Sequence, residues 1–213
     1  MKVYIGDKVV KTDKLERLDN GTTVTNKVYK YGNNVIKIFH GNEDELFYRY
    51  FVDCNLKLNV ISTPIDLVYN KKNEFIGNTS KYIDGLDLTD NLDVISDLTK
   101  KQLLLNLNML KYDLLLLKKY KISTIDLRVG NCIYKDGILY HVDYGGFRYI
   151  SNISKIDYKK EFDRFICDLF SKSYQKNKLC IPRWIINNND KINIINEKMN
   201  EYETVGEFIK RYK

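Results

Sequence analysis

Two aspartates and an asparagine punctuate the stretch ISTIDLRVGNCIYKDGILYHVDYGGF, residues 122–147. Asn131 follows Asp126 by five positions, and Asp143 follows Asn131 by twelve. A carboxylate and a neutral amide oxygen can hold a divalent cation without placing a second negative charge beside a polyphosphate. That chemistry gives Asn131 and Asp143 to a metal. It leaves Asp126 to orient a hydroxyl and receive its proton as a new bond forms. The three side chains can cooperate only if the chain between them folds back on itself.

The intervening residues supply that reversal. The apolar segments CIY and ILYHV flank Lys135-Asp136-Gly137, and an Asp-Gly dipeptide favours a tight hairpin. Asp126 and Asn131 then precede the hairpin, Asp143 leaves it, and all three reach one end of it. Upstream, LLLNLNMLKYDLLLL at 103–117 belongs to a helix expected from about Ser96 to Tyr120. Its apolar density exceeds what one solvent-facing helix needs. Asn106, Asn108, Lys111 and Asp113 within it make a poor membrane span and a better buried helix. Downstream, DYKKEFDRFICDLFSKSY from 157 sets Phe162, Phe165, Ile166, Leu169 and Phe170 on one helical face. The tail predicts one or two further helices, interrupted by asparagines at 187–189.

The first 80 or so residues read differently. TVTNKVYKYGNNVIKIF predicts a hairpin with Gly32 and Asn33 or Asn34 in the turn. NEDELFYRYFVDCNLKL predicts a helix capped by Asn42, with Glu45 at its third position. TPIDLVYN and NEFIGNTSKYI add a second pair of strands. The expected class is therefore α+β.

Taken together, Asp126-Leu127-Arg128-Val129-Gly130-Asn131 and Asp143-Tyr144-Gly145 resemble the catalytic-loop and metal-binding motifs of the protein-kinase-like superfamily. The interval between them suits the hairpin that separates those motifs. Lys37, inside the apolar VIKIF, resembles the lysine that contacts the α- and β-phosphates, with an edge-strand surface lysine as the alternative. Arg128 stands where many members carry a lysine near the transferred phosphate; a plain surface charge is its alternative. On the glycine-rich pattern the chain reads Gly21-Thr22-Thr23-Val24-Thr25-Asn26-Lys27-Val28. It keeps the first glycine and the valine, with Thr23 and Asn26 in place of the other two glycines. Glu45 is either the ion-pair partner of Lys37 or a helix-capping residue, with Glu43 a lesser candidate for the pair.

The resemblance implies a two-lobed protein-kinase-like fold, one domain over 1–213 with a small β-rich lobe at 1–84 and a reduced, mainly helical lobe at 85–213. It implies Asp126, Lys37 and Arg128 as catalytic residues, and Asn131 and Asp143 as metal ligands. Gly21, Thr23, Val28, Lys37, Glu45, Tyr82, Asn131 and Asp143 are the implied nucleotide-binding set, with ATP and Mg2+ as cofactors. The pattern is also departed from. Thr124 and Ile125 replace the histidine and arginine that commonly precede the catalytic aspartate, and no Ala-Pro-Glu follows DYGGF. A helix expected from 157 leaves little room for an activation and peptide-binding segment. The implied function is phosphoryl transfer from ATP to a protein serine or threonine. A small-molecule kinase and a regulatory nucleotide-binding pseudokinase are the alternatives, the latter suggested by the altered glycine loop. The implied partners are ATP and a hydroxyl-bearing acceptor, protein or small molecule.

Composition narrows the remaining classes. The chain carries 35 Lys and Arg against 28 Asp and Glu, a net charge of +7, and its lysines are scattered. Such a balance favours phosphate-bearing partners in general, without the basic arm or recognition motif of a specific nucleic-acid binder. Four separated cysteines and two histidines offer no zinc spacing and read as reduced structural thiols. The N-terminus lacks an apolar core followed by a small-residue cleavage site, so an intracellular, cytoplasmic protein without a membrane anchor is expected.

Overall fold

The alternating valines, isoleucines and tyrosines of the N-terminal third form one antiparallel sheet. The computed structural model describes residues 1–19, 26–41, 43–124, 126–143, 146–176 and 190–211, with backbone alone for 172–176. Its strands are β1 (Lys2–Ile5), β2 (Lys8–Lys11), β3 (Asn26–Tyr31), β4 (Asn34–Phe39), β5 (Pro64–Tyr69) and β6 (Phe75–Lys81), in the order β2-β1-β5-β6-β4-β3. Val3, Ile5, Val10, Ile36, Ile38 and Val68 form its apolar core. The β3–β4 turn forms as expected at Gly32, whose φ of 60° suits glycine. The sequence reading missed β1 and β2, which are only four residues long and joined at Gly6-Asp7.

Helix α1 (Glu45–Asp53) follows the sheet's fourth strand, but its start differs from expectation. The cap is Asp44, whose carboxylate accepts from the amides of Leu46 at 3.0 Å and Phe47 at 3.3 Å. Glu45 is consequently the first helical residue, not the third, which removes the capping box. Asn42 lies outside the described residues. Phe47, Tyr48 and Phe51 are buried, and the Tyr48 ring lies 5.0 Å from that of Phe39.

The chain divides into two compact units, Met1–Leu58 with Ser62–Ile83, and Asn59–Ile61 with Asp84–Lys213. The second contains β7 (Leu86–Asp87), α2 (Asp93–Asp97), α3 (Lys100–Lys119), β8 (Ile122–Ser123), β9 (Cys132–Lys135), β10 (Ile138–His141), β11 (Arg148–Tyr149), α4 (Tyr158–Lys176), α5 (Lys191–Lys198) and α6 (Val205–Arg211). Strands β10, β9 and β7 form one small sheet, and β11 and β8 another. The long helix starts at Lys100 rather than near Ser96, because Thr99 and Gln102 make a reciprocal capping box there. Phe162, Phe165, Ile166, Leu169 and Phe170 are all buried on α4, as their spacing predicts. Phe208 of α6 meets Phe170 at 6.3 Å. The expected asparagine-rich break at 187–189 lies outside the described residues. The chain is α+β, and among the described residues no helix is long and apolar enough to cross a membrane.

Candidate functional site

The β9–β10 hairpin is the scaffold of the site. Asp136 and Gly137 take φ values of 51° and 83°, the left-handed pair that a two-residue turn of this kind requires. Asn106 of α3 holds the turn from behind: its Nδ2 donates to Gly137 O at 2.8 Å, and its Oδ1 accepts from Leu139 N at 2.7 Å. At the other end, Cys132 pairs with His141, and Val142 N donates to Asn131 O at 3.0 Å. The backbone therefore sets Asn131 beside Val142, one residue from Asp143. Asn131 Nδ2 in turn donates to Asp126 O at 3.2 Å and approaches Asp126 Oδ2 at 3.4 Å. Asp126 and Asn131 meet directly, and the hairpin foot adds Asp143.

The 126–131 loop alternates between anchor and display. Leu127 and Val129 are buried, whereas Asp126 is half-buried and Arg128 exposed. Asp168 of α4 accepts from Val129 N at 2.8 Å, and Thr89 Oγ1 donates to Gly130 O at 3.0 Å. Two apolar side chains and two polar clamps thus fix a loop that has little regular structure of its own. Arg128 Nε pairs with Asp126 Oδ1 as an ion pair without hydrogen-bond alignment, and that oxygen is shielded from solvent. A pocket of about 530 Å³ opens beside the loop, lined by Thr89, Leu127, Arg128, Gly130, Asn131, Arg164 and Asp168.

The donor set suits a hard cation held in company with phosphate oxygens. With its NH2 turned to Asp126, the Asn131 amide presents its carbonyl oxygen the other way, and the backbone bond from Val142 to Asn131 brings the chain at Asp143 within one residue of it. Among the described residues no group of three or more His, Cys, Asp or Glu could hold a metal ion alone. Magnesium, which keeps waters and substrate phosphates among its ligands, needs no such cage.

Behind the hairpin foot the chemistry is closed. Cys132 Sγ lies 3.4 Å from His141 Nδ1, and the His141 ring meets Phe165 edge-on at 4.8 Å. Burial lowers the His141 pKa to about 4 and pushes the Cys132 thiol well up, with the charges of Asp168 and Asp87 adding to the latter. A neutral imidazole and a neutral thiol at pH 7 make this pair core rather than nucleophile. His141 N donates to Val60 O at 2.7 Å. The segment containing Val60 is gripped by Asp113 of α3, which accepts from the amides of Asn59, Val60 and Ile61 at 2.9, 2.8 and 3.1 Å and from Asn59 Nδ2 at 2.8 Å.

In the other unit, Lys37 sits on β4 with only 8% of its surface exposed. Val28 and Asn78 are its cross-strand neighbours. Gly77 is required there, because a Cβ on it would lie 2.1 Å from Lys37 O. Glu45 binds Arg49 at 2.7 Å and the Tyr69 hydroxyl at 2.9 Å, and these hydrogen bonds, Arg49's first, hold its carboxyl below the usual range. Tyr82 donates its amide to Asn33 O at 2.9 Å and carries Lys30 Nζ 4.5 Å above its ring. Gly21, Thr23, Ile125, Tyr144 and Gly145 lie outside the described residues. The sequence reading did not single out Asp168, Thr89 or Arg164; an acidic residue at the border of an apolar helical face, as Asp168 is three positions after Phe165 on α4, is the signal that could have found the first.

No protein-family model matches the chain, and no curated protein matches it.

Proposed function

We propose that the protein is an ATP- and magnesium-dependent phosphotransferase of the two-lobed protein-kinase-like kind, with a serine or threonine hydroxyl as acceptor. The observation that carries this reading is the gathering of Asp126, Asn131 and Asp143 at one end of the β9–β10 hairpin, with Asn131 bonded to Asp126 and to Val142. Bound magnesium-ATP would supply the phosphoryl group and neutralise charge developing on it. Asn131 and Asp143 would hold the cation through oxygen, and the resemblance gives Lys37 the α- and β-phosphates. Asp126 would orient the acceptor hydroxyl and take its proton as the acceptor oxygen bonds to phosphorus and ADP departs. Arg128, already at Asp126, would swing its guanidinium to the transferred group, where its planar donors suit phosphate.

Asp126→Asn tests the assignment, since it keeps size and removes the carboxylate. Binding of ATP with magnesium, read by calorimetry, should persist. Transfer of labelled phosphate to acceptor should fall about 100-fold or more, the range associated with positioned acid–base assistance. Turnover near that of the parent protein would sink the catalytic role. A regulatory nucleotide binder would instead bind ATP and transfer nothing in either form.

A further inference from the structure

We propose that the outward side of α3 is a docking surface for an amphipathic helix of another protein, one with an apolar seam of its own and acidic residues at both of its ends. The inference stands apart from the phosphotransferase reading, since none of its residues belongs to the hairpin site. The leucines of α3 face two ways. Leu103, Leu107, Leu110, Leu114 and Leu117 are buried, at alternating spacings of four and three residues. On the outward side, Lys101, Leu105, Asn108, Tyr112, Leu115 and Lys119 repeat that alternation, and all six are exposed. It is the spacing by which one helix interlocks with another. Leu105, Tyr112 and Leu115 are 48%, 59% and 43% exposed. Half-buried Leu104, Met109 and Leu116 adjoin them within a turn, so the apolar groups form a continuous strip rather than scattered surface residues.

The charges of the strip choose its partner. The one acidic residue of α3 is Asp113, which is fully buried and spent on the amides of residues 59–61. Lys101, Lys111 and Lys119 are exposed, and among the described residues none pairs with them. Lys101 and Lys119 close the strip at its two ends, about 27 Å apart along the axis. With the strips in register, a second copy of this chain would set lysine against lysine at both ends, whether the two helices ran parallel or antiparallel. An anionic bilayer would answer the charge, but a helix lying in a bilayer keeps an apolar face with its lysines on the opposite, polar one. Here Lys101, Asn108 and Lys119 stand in the line of the strip itself. A partner helix answers all three: a carboxylate meets each end, and a polar side chain meets Asn108 and fixes the register.

The test is fluorescence anisotropy with two labelled helical peptides of about 21 residues, long enough to span the strip. Both carry leucines at the four-three spacing with one central asparagine; one has glutamates at both ends and the other lysines. The glutamate peptide should bind about tenfold or more tighter than the lysine peptide, because two opposite-charge contacts replace two repulsive ones. Leu105→Gln with Leu115→Gln should weaken its binding about tenfold or more by removing apolar contact. Lys101→Glu with Lys119→Glu should turn the preference to the lysine peptide. All four positions are exposed, and circular dichroism checks that each variant folds as the parent does. Equal affinity for the two peptides, or undiminished binding in the leucine variant, overturns the proposal. So does a parent dimer in sedimentation equilibrium that the leucine variant converts to monomer, which would give the strip to a second copy. Flotation with phosphatidylserine vesicles that the leucine variant loses, from a protein that binds neither peptide, would give the strip to a membrane surface and overturn the proposal likewise.

Discussion

Asp113→Ala is the substitution whose cost can be worked most directly from the structure. The Asp113 side chain is fully buried and accepts four hydrogen bonds, three of them from consecutive backbone amides. Alanine leaves those amides without an acceptor. Val60 and Ile61 are 2% and 4% exposed, so water cannot replace the lost carboxylate there, whereas Asn59 is nearer to solvent. At about 2 kcal/mol for each buried orphaned donor, the loss is about 4 kcal/mol. With a urea m-value of about 3 kcal/mol per molar, the unfolding midpoint should move down by more than about 1 M. Asp113→Asn keeps one acceptor oxygen but points an NH2 at donors, so it should cost about half as much. The local signature is faster hydrogen exchange at the Val60 and Ile61 amides. Because Val60 O also receives the amide of His141, the hairpin foot should loosen with them. A midpoint shift below about 0.3 M, with Val60 and Ile61 still protected, would refute the view that this carboxylate holds the segment.

The buried imidazole gives a pH dependence of definite sign. His141 titrates at about 4 in the fold against 6.5 for its ordinary value, so the unfolded chain binds the extra proton. Its contribution is complete above about pH 6.5 and is lost as pH falls toward 4, about 3 kcal/mol in all. Urea midpoints measured from pH 7.5 to 4 should show this loss in the parent protein and much less of it in His141→Phe; matching profiles would argue against a neutral buried histidine. Asp143→Ala should weaken ATP binding in the presence of magnesium more than in its absence, because aspartate supplies the charge to the cation. Calorimetry giving equal small losses under both conditions would count against the metal role. Lys37→Met keeps the aliphatic bulk of a nearly buried side chain while removing its charge, and ATP affinity or turnover should drop. A folded variant with both unchanged would remove Lys37 from the phosphate contacts.

Local chemistry was legible in the sequence wherever neighbouring residues carry the instruction. Asp136-Gly137 dictates its own turn, the 3.6-residue spacing of phenylalanines and leucines dictates the buried face of α4, and the interval from Asn131 to Asp143 follows from the hairpin between them. The start of α1 misled because two acceptors compete near it: Asp44, next to the first turn, takes two amides, and Glu45 is left to Arg49 and Tyr69. Strands β1 and β2 escaped because four residues hold too little alternation to stand out.

The partners of the buried polar groups belong to a different class of information. Asn106 and Asp113 argued from the sequence only against a membrane span. In the fold, Asn106 holds a hairpin turn 31 residues away and Asp113 grips a segment up to 54 residues away. Asp168 reaches Val129 across 39 residues to steady the loop that carries Asp126. The sequence by itself determined the turns, the helical faces and the spacing of Asp126, Asn131 and Asp143. Only the tertiary structure decided which donors lose water and must be met by a distant carboxylate or amide, because that depends on packing between segments far apart in the chain.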